Sequence, residues 1–152
     1  MNKLNSYSMQ KPKKIFHLSD VHIFRNKRHQ EHREVIDNLI KTIIDENIEL
    51  VYIGGDVVDS KSRLSPEQIS VAAYFFLNIA NTVPIVMIPG NHDIDLKKNG
   101  ALDSLTPIIN NLETAHPIYY LTETGVYNIF GRQLFDLYQK YPVDRCTNQP
   151  YK

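Results

Sequence analysis

Leu50-Val-Tyr-Ile-Gly-Gly-Asp56 is a four-residue apolar run halted by two glycines and followed at once by a carboxylate. The missing side chains at Gly54 and Gly55 let the backbone turn tightly, so Asp56 is expected at the exit of a buried strand. The same grammar recurs on either side. Lys14-Ile-Phe-His-Leu18 is a β-favouring run that ends at Ser19-Asp20-Val21-His22, and Ile85-Val-Met-Ile88 runs into Gly90-Asn91-His92-Asp93. Asp20 and Asp56 are 36 residues apart and Asp56 and Asn91 are 35 apart. Each interval has room for one helix and a return.

The intervening stretches read as those helices. From Glu31 to Asn47 the apolar residues Val35, Ile36, Leu39, Ile40, Ile43 and Ile44, with Ile48 just beyond, recur in pairs every four residues, the stripe of an amphipathic helix. Ser65-Pro-Glu-Gln68 combines an N-cap serine, a proline at the first helical position and a glutamine at the third, the pattern of a capping box. A helix should start there, bury Ile69, Ala72, Ala73, Phe76, Leu77 and Ala80, and end at Asn81 ahead of Pro84. The predicted order is therefore βαβαβ with a mostly parallel sheet, an α/β fold. In open α/β sheets ligands gather beyond the carboxyl ends of the strands, where all three polar segments fall.

Further along, Asn99-Gly100 reads as a turn, Leu102 to Leu112 as a short helix containing Pro107, Pro117 to Leu121 as a fourth strand and Val126 to Phe130 as a fifth. The expected organisation is a polar leader over 1–13, one domain over 14–130, and an irregular tail over 131–152. Within the domain, Phe75-Phe76 and Tyr119-Tyr120 read as packing residues rather than platforms for bases.

Composition narrows the function classes. Of 152 residues, 42% are hydrophobic and 22% charged, ordinary values for a globular protein, and no apolar run approaches the length of a membrane span. The lysine-containing start has no apolar segment of signal-peptide length behind it, which argues for an intracellular protein, in cytoplasm, nucleoid or nucleus. The single cysteine, Cys146, excludes an internal disulfide and a zinc–thiolate cluster. Seventeen basic and seventeen acidic residues cancel, so net charge carries no argument about nucleic acid.

The candidate metal ligands are Asp20, His22, Asp56 and Asn91. Carboxylate, imidazole and amide form a mixed oxygen and nitrogen set that suits Mn, Fe or Zn. Asp20 and His22 fall on the same side of an extended segment and can share one cation. Asp56, leaving the central strand, is placed to bridge that cation and a second one held by Asn91. Two such ions, roughly 3.5–4 Å apart, suit hydrolysis of a phosphate ester. His92 lies beside a ligand on the alternate side of the chain, as a general acid for the leaving oxygen would. Asp59, three residues past the bridge, is expected to bond the His92 ring and fix its tautomer. Asp93 either orients His92 or caps the following turn, and His17 reads as an ordinary strand histidine. The run Arg25-Asn-Lys-Arg-His29, with Arg33, either tracks a phosphate backbone beside the metals or is a solvated loop.

Asp20-Val-His22, Gly55-Asp56 and Gly90-Asn-His-Asp93 resemble the first three motifs of the calcineurin-like metallophosphoesterases, over roughly residues 14 to 130 and most densely before Asp95. Within that superfamily, His17-Leu-Ser-Asp-Val-His-Ile23, Glu31-His-Arg-Glu34 and Gly55 to Pro66 resemble the DNA-repair exonuclease subunits of the SbcD type and their viral relatives. The resemblance implies an αββα sandwich, of which this chain would form the βαβαβ half. It further implies two divalent ions with Mn²⁺ foremost, DNA as substrate, a coiled-coil ATPase as partner, and homodimers. Such proteins continue to a further ligand histidine and a Gly-His-x-His segment, whereas the only histidine after His92 is His116, followed by proline. Three ligands of the complete set are thus expected to be missing, as in the amino-terminal part of a catalytic domain, and one sheet face is expected to lie bare. The functions in view are a nuclease-type phosphodiesterase, a phosphomonoesterase or nucleotide hydrolase on the same scaffold, and a binding fragment without turnover.

Overall fold

The computed structural model describes residues 11–25, 27–60, 63–93, 103–123, 125–130 and 132–136. Four parallel strands, β1 (Ile15–Leu18), β2 (Leu50–Ile53), β3 (Ile85–Met87) and β4 (Ile118–Tyr120), form a sheet in the order β1-β2-β3-β4. The connections are α1 (His29–Asp45), α2 (Pro66–Thr82) and the short α3 (Thr106–Ile109). A hairpin of β5 (Gly125–Ile129) and β6 (Arg132–Asp136) forms a second, two-stranded antiparallel sheet. The predicted α/β architecture with a parallel sheet is the one observed.

Register explains why the polar segments converge. Leu18 pairs with Ile53 and Ile53 with Met87, so the three chains leave the sheet at nearly the same level. The pairing then continues past the strands: Asp20 N–H donates to the Gly55 carbonyl at 3.1 Å, His22 N–H to the Asp56 carbonyl at 3.1 Å, and Ile23 N–H to the Val57 carbonyl at 2.9 Å. The first ligand loop is therefore an extension of the ladder rather than a free turn.

α1 packs on α2 and α2 on α3, which sets all three on one face of the sheet. Val51, Ile53, Ile85 and Met87 meet them from the strands. The opposite residues Leu50, Val86 and Leu121 pack with Ile129 and Phe130 of the hairpin region, with Tyr119 edge-on to Phe130 at 5.6 Å. Being covered on both faces is why β2 and β3 read as nearly continuous apolar runs. The bare second face expected from sequence is thus covered over the middle of the sheet. Ile15, on the edge strand β1, stays 42% exposed.

Other expectations shift. The capping box is present, with Gln68 N–H donating to Ser65 Oγ at 3.2 Å and Ser65 N–H to Gln68 Oε1 at 3.3 Å. The buried face of α2 is nevertheless Gln68, Val71, Ala72, Phe75, Phe76, Ile79 and Ala80, while Ile69 is 43% exposed. This helix is apolar nearly all round, so periodicity left its rotation open. On α1, Ile36 and Ile43 are buried but Val35 and Ile44 are exposed, because a helix over an edge strand has little to cover its flanks. The predicted helix over 102–112 shrinks to Thr106–Ile109. Pro107 fits only the first turn, and Asp103 caps that turn by accepting from Leu105 N–H at 2.8 Å and Thr106 N–H at 2.7 Å. Strand β6 lies in the stretch read as an irregular tail, paired from Gly125↔Asp136 to Ile129↔Arg132. The Asn99-Gly100 turn, Leu102 and residues 137–152 lie outside the described residues.

Candidate metal centre

Three backbone residues at the carboxyl edge of the sheet sit in the left-handed region: Asp20 at φ 56°, His22 at φ 47° and Asp56 at φ 55°. That conformation costs about 1–2 kcal/mol per residue with a side chain, so three together at one edge indicate a geometry imposed for the side chains. The result is a cluster. One ligand atom from each of Asp20, His22 and Asp56 lies within 4.8 Å of the others. His22 Nε2 stands 3.6 Å from Asp20 Oδ1. Ser19 Oγ donates to Asp20 Oδ2 at 2.6 Å, and this bond is the main cause holding the Asp20 carboxyl below its ordinary range. A carboxylate pair with one imidazole, open to solvent through an Asp20 side chain that is 66% exposed, is a set of donors that could hold a divalent cation.

The second and third loops are locked together by glycine and by a carboxylate. Gly55 has φ +98°, and a Cβ there would fall 2.4 Å from Gly90 N. A Cβ on Gly90 would fall 2.1 Å from Asp56 Oδ1. The two loops therefore touch backbone to backbone, and Gly55→Ala is expected to lower unfolding free energy by about 3–5 kcal/mol through left-handed strain and main-chain overlap. Urea denaturation measures this, and a loss below about 1 kcal/mol would show that the contact relaxes freely.

Asp93 supplies the other lock. Its fully buried carboxylate accepts four backbone N–H groups: Asp56 at 2.8 Å and Gly90 at 2.8 Å on Oδ2, Val57 at 3.1 Å and Val58 at 3.3 Å on Oδ1. Burial pushes its pKa up, and the bonds from Gly90, Val58 and Asp56 draw it back. Asp93 thus neither bonds the His92 ring nor caps a turn that follows it among the described residues; its bonds run back to Gly90 and across to residues 56–58, a clamp over two loops. The bond to Gly90, three residues earlier, is the local part that sequence could reveal. The reach to residues 56–58 was not legible.

His92 is brought to the cluster. Its N–H donates to Asp56 Oδ1 at 2.8 Å, and its ring meets that of His22 edge-on at 5.0 Å between centroids. The Asp59 contact exists in a different form from the expected one. His92 Nδ1 lies 3.2 Å from the main-chain carbonyl of Asp59, while the Asp59 carboxylate turns to Gln68 Nε2 at 2.6 Å. The positive side of a peptide group has no part in this: a carbonyl oxygen accepts, so the ring nitrogen facing it carries the proton. Asn91 is exposed at the head of the same turn, directly before His92. His17 is not among the clustered ligand atoms; it sits on β1 with its ring edge-on to Tyr52 at 5.1 Å.

The basic run is divided. Arg33 Nη2 donates to Ser70 Oγ at 2.9 Å and its guanidinium lies over the Tyr74 ring at 4.7 Å, tying α1 to α2. Arg28 pairs with Glu31 at 3.7 Å, and Lys27 lies over Phe24 at 4.9 Å. Arg25 and Lys27 are exposed just after the first ligand loop, and Asn26 lies outside the described residues. Among the described residues no helix is long and apolar enough to cross a membrane.

Comparison with known proteins places this geometry. The model of a family described as calcineurin-like phosphoesterase matches residues 13–150. The uncharacterized protein R555 of Acanthamoeba polyphaga mimivirus is similar to this chain, with 36% identity over 132 residues, 85% of this chain and 10% of that protein. The chain therefore spans about a tenth of the length of that relative.

Proposed function

The chain belongs to the calcineurin-like phosphoesterase family, and on that premise we propose that it is a metal-dependent phosphodiesterase acting on DNA through two divalent cations. The observation that carries this reading is the convergence of Asp20, His22 and Asp56 within 4.8 Å, with the His92 ring against His22. Asp20, His22 and Asp56 would hold one cation, and Asp56 with Asn91 a second. Cations held there supply Lewis acidity toward a phosphoryl oxygen and toward water.

The protein's own groups do the rest. The Asp59 carbonyl accepts from His92 Nδ1–H, which leaves Nε2 as the substrate-facing nitrogen; it delivers a proton to the departing oxygen from the imidazolium, in which both ring nitrogens carry one, and the ring returns to the Nδ1–H form. The bond from His92 N–H to Asp56 Oδ1 keeps donor and ligand at a fixed separation. The Asp93 clamp holds both loops still, so that little reorganisation accompanies the reaction. An exposed Asp20 and Asn91 leave the edge open to a polymer, and exposed Arg25 and Lys27 beside it favour a phosphate backbone over a small neutral substrate.

The test is hydrolysis of bis(p-nitrophenyl) phosphate and of duplex DNA by this chain with added Mn²⁺. Cleavage that appears with the metal and disappears with EDTA is expected. Cleavage without metal would overturn the reading, and turnover of monoesters alone would move it to a phosphomonoesterase. Stoichiometric metal binding without turnover would make the chain a binding element.

A further inference from the structure

Gln68, the third residue of α2, does more than complete a capping box. Gln68 is fully buried, and its side chain is saturated. Nε2 donates to the Ile23 carbonyl at 2.7 Å and to Asp59 Oδ1 at 2.6 Å, and Oε1 accepts from Ser65 N–H at 3.3 Å. Ser65 in turn donates from Oγ to the Arg25 carbonyl at 2.8 Å. The N-terminus of α2 thereby grips both the loop after β1, at Ile23 and Arg25, and the loop after β2, at Asp59. A capping box needs only the bonds between residues 65 and 68; the two Nε2 bonds reach 45 and 9 residues along the chain and serve something else.

We propose that Gln68 is a positioning residue for His92, acting through Asp59; this rests on the reading of His92 as proton donor. The Gln68 amide fixes the Asp59 side chain, Asp59 N–H is tied to the Ile23 carbonyl at 3.3 Å, and the Asp59 carbonyl faces His92 Nδ1 at 3.2 Å. These bonds hold the preceding peptide group and the side chain of residue 59 in place, so the next peptide group, whose carbonyl faces Nδ1, leaves from an anchored Cα. That keeps one proton on Nδ1 and leaves Nε2 as the nitrogen that takes up and gives away the second proton, the one passed to the departing oxygen. The chain of contacts needs an amide at 68 specifically: two donors on one atom and an acceptor on the other. Gln68→Glu keeps the volume and the acceptor but removes both donors, placing a carboxylate against Asp59 and the Ile23 carbonyl.

The experiment combines kinetics with ring spectroscopy on the full chain. In ¹⁵N-labelled protein, the His92 ring pattern reports its tautomer whether or not the chain turns over substrate. Gln68→Glu is expected to shift His92 out of the Nδ1-protonated pattern. It should also lower kcat toward bis(p-nitrophenyl) phosphate on the order of tenfold, with KM within about twofold, as for a displaced catalytic group. Adding Asp59→Asn to Gln68→Glu restores the 59–68 bond with the roles exchanged while the Ile23 carbonyl still faces a carboxylate, and is expected to recover the ring pattern and part of kcat. Asp59→Ala, which removes the same link from the other side, is expected to move the ring as Gln68→Glu does. An unchanged His92 pattern in both Gln68→Glu and Asp59→Ala would overturn the proposal, as would a loss of thermal stability with kcat and ring pattern intact. If the wild-type chain hydrolyses nothing, the hydrolase reading falls, and the ring pattern alone still decides the role of Gln68.

Discussion

Asp93→Ala is expected to lose about 3–5 kcal/mol of unfolding free energy, more than any other single carboxylate in the described structure. Four backbone N–H groups converge on that one side chain, and alanine leaves each of them without an acceptor in a site closed to water. Each orphaned donor costs about 1–3 kcal/mol when it stays dry, and local opening that admits water returns part of the loss. Asp93→Asn is the sharper variant. It keeps the volume but replaces one accepting oxygen by an amide that faces two N–H donors, for an expected loss of about 2 kcal/mol. Urea titration at fixed pH reads both. Since Asp56 and Gly90 are two of the four donors, the same variants are expected to weaken Mn²⁺ binding, measurable by calorimetry. A change below about 1 kcal/mol in Asp93→Ala would mean that the two loops hold their places without the clamp.

His92→Asn is expected to lower kcat between roughly 10² and 10⁴-fold, the usual worth of a general acid, while leaving metal stoichiometry unchanged. Asparagine can still donate to the Asp59 carbonyl in place of Nδ1, and the backbone bond from position 92 to Asp56 Oδ1 survives any substitution there. What vanishes is Nε2. The comparison therefore separates proton delivery from metal binding: a parallel loss of Mn²⁺ affinity would make His92 a ligand instead. Asp56→Asn serves as the contrast, since removing a charge from the shared carboxylate is expected to lower metal affinity first and turnover as a consequence.

Much of this was legible in the chain itself. The run Leu50-Val-Tyr-Ile followed by Gly54-Gly55 announced a doubly buried strand with a tight exit, and Ser65-Pro-Glu-Gln68 announced the start of α2 at the observed residue. Both are local signals: a strand end and a helix cap are specified by neighbours in sequence. The candidate ligands were legible for the same reason, each standing immediately after such a strand. Less legible were features set by what packs against what. The sequence leaves the rotation of α2 open because nearly every face of that helix is apolar, and α3 is shorter than its apolar stretch because the Asp103 cap and Pro107 together fix its first turn.

By itself, then, the sequence determined the parallel α/β order, the strand-end location of Asp20, His22, Asp56 and Asn91, and membership in a family of metal-dependent phosphoesterases. Only the tertiary structure decided how those loops are held: Asp93 reaching back to residues 56–58, the Asp59 carbonyl rather than its carboxylate at His92, and Gln68 joining α2 to both ligand loops. The physical reason is range. Strand ends and caps arise from residues a few positions apart, whereas the satisfaction of a buried carboxylate or amide depends on donors and acceptors that meet only once the register of the sheet is set.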